Sequence, residues 1–219
     1  MKALFLPSLF GLLATSVCFS LLQYQHVQRL ERQLYVTEYG ARTFHYILDQ
    51  EEEYLQAVTE QLAELSDITN KFKARYYAKT YIAAARRYGV DPYLLLLLTR
   101  VESGFDAQAK SNKGALGMMQ IMPNVWLDRI SFISTDKDLL DPYLNIHAGA
   151  RVLRHYLDRA DGDVRLALLM YNRGEQSVNR DIVEGRDPHN GFVQKVLFNK
   201  KPSARLGSFC CVSGKGTRG

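Results

Sequence analysis

Five consecutive leucines, Leu94 to Leu98, sit inside an almost wholly apolar run from Tyr93 to Val101. Asp91 and Pro92 precede the run as helix cap and first turn, and Gly104 follows it as a stop. A helix that is leucine on every side has to be buried on every side, so the chain must wrap around it. The run ends on a carboxylate, Glu102. A carboxyl group pressed against apolar surroundings resists ionisation, and its pKa rises. An acid still protonated near neutral pH is what cleavage of a glycosidic bond requires.

The surrounding pattern is helical throughout. Tyr77, Tyr81, Ile82, Ala85 and Tyr88 mark one amphipathic helix, ended by Gly89. Asp141-Pro142 starts another, with Leu144, Ala148, Val152 and Tyr156 on one face. A further helix follows Asp161-Gly162-Asp163 and runs from Val164 to Tyr171. Ile130 to Ile133 is the one stretch that reads as a candidate extended segment. The expected class is all-α, with a compact helical domain over residues 71–199.

The N-terminal region reads differently. Ala3 to Leu22 carries no charged side chain, about the 20 residues a helix needs to cross a bilayer. Residues 1–22 are expected to be a signal anchor, with a cleaved signal peptide as the alternative. Residues 23–70 contain no proline and one glycine, Gly40, and Leu55, Val58, Leu62 and Leu65 recur at helical steps. They read as a helical stalk or a helix packed on the domain. Self-association through this stretch is one expectation, although sustained heptads are not evident.

Charge follows the same divisions. Residues 1–70 carry 4 basic and 9 acidic groups, residues 71–199 carry 19 and 14, and residues 200–219 carry 5 and none. The mild positive balance of the central part suits an anionic polymer or a membrane surface. It is too modest for nucleic acid, and no nucleic-acid motif accompanies it. The last segment reads as a disordered basic tail. Cys18, Cys210 and Cys211 form no disulfide framework, and the five histidines have no metal-ligand spacing. No metal and no cofactor are expected. His147 and His155 are expected at the surface or at a groove edge.

Three motifs occur in order: Glu102-Ser103-Gly104-Phe105, then Gly114-Ala115-Leu116-Gly117-Met118-Met119-Gln120-Ile121-Met122-Pro123, then Met170-Tyr171-Asn172. Together, across roughly residues 75 to 198, they resemble the catalytic domain of lytic transglycosylases of the soluble (SLT) type, with a goose-type-lysozyme-like fold. The resemblance implies cleavage of the β-1,4 bond between N-acetylmuramic acid and N-acetylglucosamine in peptidoglycan. It implies Glu102 as the acid that protonates the leaving oxygen and then as the base that accepts a proton from the muramoyl 6-hydroxyl. That hydroxyl closes a 1,6-anhydro ring, with the substrate's acetamido group stabilising the intermediate.

Ordinary glycosidases need two carboxyl groups. The motifs here supply one. Asp106, the nearest second carboxylate, reads as a solvated loop residue.

The resemblance also implies that Ser111, Gly117, Gln120 and Met122 line a sugar groove. It implies that the Tyr171 hydroxyl bonds and orients the acid, and that Asn172 binds sugar or caps the helix. Gly117 is expected to let the backbone approach a sugar ring. Gln120 can donate and accept toward hydroxyls and acetamides. Met118 and Met170 replace the family's usual Leu and Ala. Arg173 replaces a small residue beside Gly174, where its cation is expected to reach the groove or face water. The implied setting is the cytoplasmic (inner) membrane, single-pass, with the domain periplasmic, or secretion to the periplasm after signal cleavage. The implied partners are peptidoglycan glycan strands, the membrane, and components of an envelope machine. A hydrolytic muramidase and a non-catalytic wall-binding scaffold are the alternative functions.

Overall fold

In a computed structural model of the chain, residues 9–198 are described, with side chains from residue 16 onward. The helices are α1 (Leu9–Leu65), α2 (Lys71–Tyr88), α3 (Pro92–Ser103), α4 (Pro123–Trp126), α5 (Pro142–Arg159), α6 (Val164–Arg173), α7 (Glu175–Val183) and α8 (Phe192–Phe198). Two 3₁₀ turns, Leu127–Arg129 and Asp136–Leu140, lie between α4 and α5. The all-α expectation therefore holds across the described residues. The basic tail lies outside them, and so do the first eight residues of the expected anchor.

The chain divides into two units, the first ending at Glu53 and the second beginning at Tyr54. In the first, Phe19, Leu34, Tyr35, Val36 and Tyr39 are all exposed. Among the described residues, no helix is long and apolar enough to cross a membrane. In the second unit, Leu55, Val58, Leu62 and Leu65 are buried. The stripe read from the sequence is thus core, and Tyr54 to Leu65 counts with the globular unit.

Helix α3 is bounded as its sequence dictates. Asp91 accepts from the Tyr93 N–H at 2.7 Å, and Gly104 leaves the helix at φ 63° while its N–H reaches the Arg100 carbonyl. Leu95, Leu96 and Leu98 are fully buried, each contributing about 1.5–3 kcal/mol of transfer free energy. Helix α2 packs on α5 and α3, α5 on α6, and α3 and α6 on α8. The Tyr81 hydroxyl donates to Thr99 at 2.9 Å, which ties α2 to the polar side of α3 without leaving a buried phenol unpaired.

Ile130 to Ile133 is not extended. The Ile133 N–H bonds the Ile130 carbonyl at 3.0 Å, and both side chains are buried, so the run is a turn that its apolar residues pin to the core. The strand-like pairing among the described residues lies elsewhere. Leu116 bridges antiparallel to Ile121 and to Lys110, on either side of a tight turn.

Candidate active site

Glu102 sits in the last turn of α3, where the chain must bend away sharply. Gly104 and Phe105 both take positive φ, 63° and 68°, and Phe105 is buried despite the strain of that conformation. The bend leaves Glu102 half-buried at the end of an apolar helix. Among the described residues, no cation and no hydrogen-bond donor pairs with its carboxylate. Burial alone pushes its pKa up to about 7.

Two neighbours anchor the loop that faces it. Ser103 donates to the Met118 carbonyl at 2.6 Å. Tyr171, from α6, donates to the Met119 carbonyl at 2.8 Å. The expected bond from Tyr171 to the acid is therefore not the one formed; its single hydrogen goes to the loop. Tyr171 still lies close enough for the Glu102 charge to act on it. Burial first, and that charge second, hold the phenol well above its ordinary pKa, so it remains a donor.

The loop from Ala109 to Ile121 is held from inside. Leu116 and Ile121 exchange backbone bonds at 2.9 and 3.0 Å. The Gln120 amide nitrogen donates to Gly117 at 2.9 Å and Ala109 at 3.3 Å, and Gln120 itself takes φ 50°. Its amide hydrogens are thus engaged by the loop, and its carbonyl oxygen is left as the acceptor. Gly117 is buried. A Cβ there would stand 2.1 Å from the Leu139 carbonyl and 2.4 Å from the Asn145 amide nitrogen, at φ +74°. The close approach that requires glycine at this position is therefore internal, against Leu139 and Asn145.

Ser111 is exposed and closes a turn. Its hydroxyl accepts from the Ala115 N–H at 2.9 Å and its carbonyl from Gly114 at 2.9 Å. Met122 is half-buried and precedes α4. Asn172 is exposed and accepts from Asn190 at 2.8 Å. Asp106 is exposed, and its carboxylate accepts from the Gln108 N–H at 2.8 Å, an ordinary Asx turn. The structure thus brings Glu102, Ser103, Tyr171 and the Met118–Gln120 turn together. Ser111 and Asn172 serve local turns and side-chain pairs.

Arg173 is partly buried and paired rather than free. It donates to the Asp181 carboxylate at 2.6 Å and to the Pro188 carbonyl at 2.6 Å, and Arg186 takes the other Asp181 oxygen at 2.8 Å. His147 is buried rather than superficial. Its ring lies 4.5 Å from that of Tyr143, neither nitrogen has a partner, and burial followed by the Arg87 charge lowers its pKa. His155 is half-buried, edge-on to Trp126 at 5.2 Å. Among the described residues, no group of His, Cys, Asp or Glu is placed to hold a metal.

The residue that sequence reasoning missed is Asn145. It is fully buried on α5, accepts from the Met119 N–H at 2.7 Å, and donates to the Leu116 and Leu139 carbonyls at 2.9 and 2.8 Å. Its signal was present: Asn145 falls on the same helical face as Ala148 and Val152, a polar group in an apolar stripe.

The chain is similar to known proteins over its helical domain. The family model described as "Transglycosylase SLT domain" matches residues 79–190. A transglycosylase of Enterobacteria phage PRD1 is 38% identical over 106 residues, covering 46% of this chain and 36% of its own. A membrane-bound lytic murein transglycosylase C of Haemophilus influenzae is 32% identical over 175 residues, covering 69% and 49%. A solved inactive mutant of the lytic transglycosylase Slt of Pseudomonas aeruginosa matches with a TM-score of 0.48 at 27% identity, over 54% of this chain and 22% of that one. In each case this chain spans less than half of the other's length.

Proposed function

Because the chain belongs to the transglycosylase SLT domain family, we propose that it cleaves the β-1,4 bond between N-acetylmuramic acid and N-acetylglucosamine without water. The observation that carries the reading is Glu102, a single carboxyl group held protonated to about pH 7 by burial, at the end of a rigid helix. As the acid, it gives its proton to the glycosidic oxygen while the bond from that oxygen to the muramoyl anomeric carbon breaks. As the resulting carboxylate, it takes the proton of the muramoyl 6-hydroxyl, whose oxygen bonds the anomeric carbon. The products are a free 4-hydroxyl on N-acetylglucosamine and a 1,6-anhydromuramoyl end, with Glu102 reprotonated. One carboxylate suffices because it serves twice, and the exposed Asp106 has no part in it.

Tyr171 supports the site by fixing the loop beside the acid. Gln120 offers its amide oxygen, and Met122 an apolar surface, to the bound sugars; Gly117, Ser111 and Asn172 hold the frame around them. The test is Glu102→Gln on purified sacculi, with products weighed by mass spectrometry. Anhydro-muropeptides from the parent and none from the variant support the reading. Ordinary reducing ends would make the protein a hydrolytic muramidase, and binding without turnover a wall-bound scaffold.

The reading includes a place. The uncharged stretch Ala3 to Leu22 is proposed to hold the protein at the inner membrane, with the domain on the periplasmic side. Detergent-dependent release of the full chain from membranes supports an anchor; release by salt alone counts against it. Self-association is proposed through α1, where Val27, Leu30, Leu34, Phe44 and Leu48 are exposed apolar side chains. Sedimentation of the full chain in detergent reads the copy number.

A further inference from the structure

A cavity of about 580 Å³ opens between α5 and the junction of α6 with α7. Its walls include Arg129, His155, Tyr156, Arg173, Glu175 and Arg180. Two of these charges are already engaged. Glu175 is held by Arg159 at 2.5 and 2.8 Å, and Arg173 by Asp181 at 2.6 Å. Arg129 and Arg180 have no acidic partner among the described residues. Arg129 rests over the Trp126 ring at 5.6 Å, a contact that fixes the guanidinium and leaves its hydrogens open. The cavity is therefore walled by two uncompensated guanidinium groups.

Tyr156 supplies the second observation. It is 7% exposed, yet its hydroxyl bonds no protein group among the described residues. After burial, the influences on its ionisation are Glu175 and Arg129, both residues of this cavity, so the hydroxyl end faces it. The hydroxyl oxygen is not sealed from solvent, so it stands open to the cavity as a donor. The same ring lies 6.3 Å from that of Tyr171, which adjoins Glu102. The cavity is one aromatic ring removed from the acid.

We propose that this cavity receives a carboxylate carried by the sugar next to the cleaved bond, gripped by Arg129 and Arg180 with Tyr156 donating to it. The proposal rests on the glycan-cleaving reading above. Guanidinium forks match carboxylate geometry and can grip it through two parallel N–H donors. Two chemical sources fit. A muramoyl lactyl ether ends in a free carboxylate where the peptide has been removed, and in a peptide with its own carboxylates where it has not.

The experiment measures binding by calorimetry, in a Glu102→Gln parent that cannot turn over. Three ligands are compared: stem-bearing glycan strands, strands stripped of peptide by an amidase, and a neutral chitooligosaccharide. Arg129→Ala with Arg180→Ala, both at exposed positions, is expected to weaken carboxylated strands about 10-fold and leave the neutral ligand unchanged. Tyr156→Phe is expected to weaken the same ligands by a smaller factor. A loss confined to stem-bearing strands assigns the anion to the peptide, and one confined to stripped strands assigns it to the lactyl group. Unchanged affinity for both carboxylated strands overturns the proposal, and so does an equal loss on the neutral sugar. A parent that binds none of the three overturns the glycan reading, and this proposal with it.

Discussion

The hydroxyl of Tyr171 donates to the carbonyl of Met119, 2.8 Å away, across 52 residues of chain. A phenol has one hydrogen, so toward Glu102 it can present only lone pairs. The tyrosine thus acts on the acid mainly through the loop. Tyr171→Phe is expected to lower kcat about 10-fold and to cost roughly 1 kcal/mol of stability, since a carbonyl loses its donor. The alkaline limb of the pH profile should stay within about half a unit, because burial sets that limb. A limb displaced by a full unit would instead show the phenol acting directly on the carboxyl proton.

Gly117 is where the loop tolerates least change. A methyl group would fall 2.1 Å from the Leu139 carbonyl, a backbone atom that cannot swing aside, at a φ that side chains avoid. Gly117→Ala is expected to destabilise the domain by at least about 2 kcal/mol, through overpacking and backbone strain together. Thermal unfolding checks it. A melting temperature within a degree of the parent's would show that the loop has room to retreat.

Glu102 links activity and stability to pH with opposite consequences. The acid must be protonated, so kcat/KM is expected to fall tenfold per unit above about pH 7. In stability, the folded carboxyl binds its proton more tightly than the unfolded one, whose value is 4.5. The folded form is therefore favoured by this group at low pH. That advantage fades as pH rises from about 4.5 to about 7 and is gone above it. Glu102→Gln removes the penalty of the buried charge, so at pH 8 the variant should be more stable than the parent by roughly 2–3 kcal/mol. Denaturant unfolding at pH 5 and pH 8 measures it; a variant less stable at pH 8 would mean that the carboxylate has a stabilising partner.

Helix positions were legible because caps and periodicity are local. Asp91, Asp141 and Asp163 each accept from backbone N–H groups at the helix starts their sequence marks. The position of Glu102 was legible for the same reason, as the last residues of a leucine helix before a glycine. What the sequence hid were the long-range partners. Tyr171 donates to Met119 rather than to the acid, and Gly117 makes room for Leu139 and Asn145. Arg173, an apparent stray cation, pairs with Asp181, a buried carboxylate eight residues on. A motif states which residues gather but not which atom each side chain reaches, because competing acceptors only a few ångströms apart belong to distant parts of the chain.

Asn145 should prove as necessary to the site as residues that face the substrate. It is fully buried, and its amide completes three bonds at once, to Met119, Leu116 and Leu139. The first two lie on the loop that Ser103 and Tyr171 also hold, so Asn145 is a third clamp on that loop. Asn145→Leu has a similar volume but leaves the Met119 N–H and the Leu139 carbonyl unpaired in the interior, while the Leu116 carbonyl keeps its bond from the Ile121 N–H. At about 1–3 kcal/mol for each buried group left unsatisfied, the loss is expected to reach roughly 3 kcal/mol or more. Asn145→Asp keeps the acceptor for Met119 but turns a second acceptor against two carbonyls, so it should be no better tolerated. Both variants should lose activity on sacculi more steeply than stability alone predicts, because the loop beside Glu102 loses its register first. Hydrogen exchange at Leu116 to Gln120, compared with exchange in α3, separates the two effects. Faster exchange in the loop with α3 still protected supports a local clamp, and equal acceleration in both would reduce Asn145 to a general stabiliser.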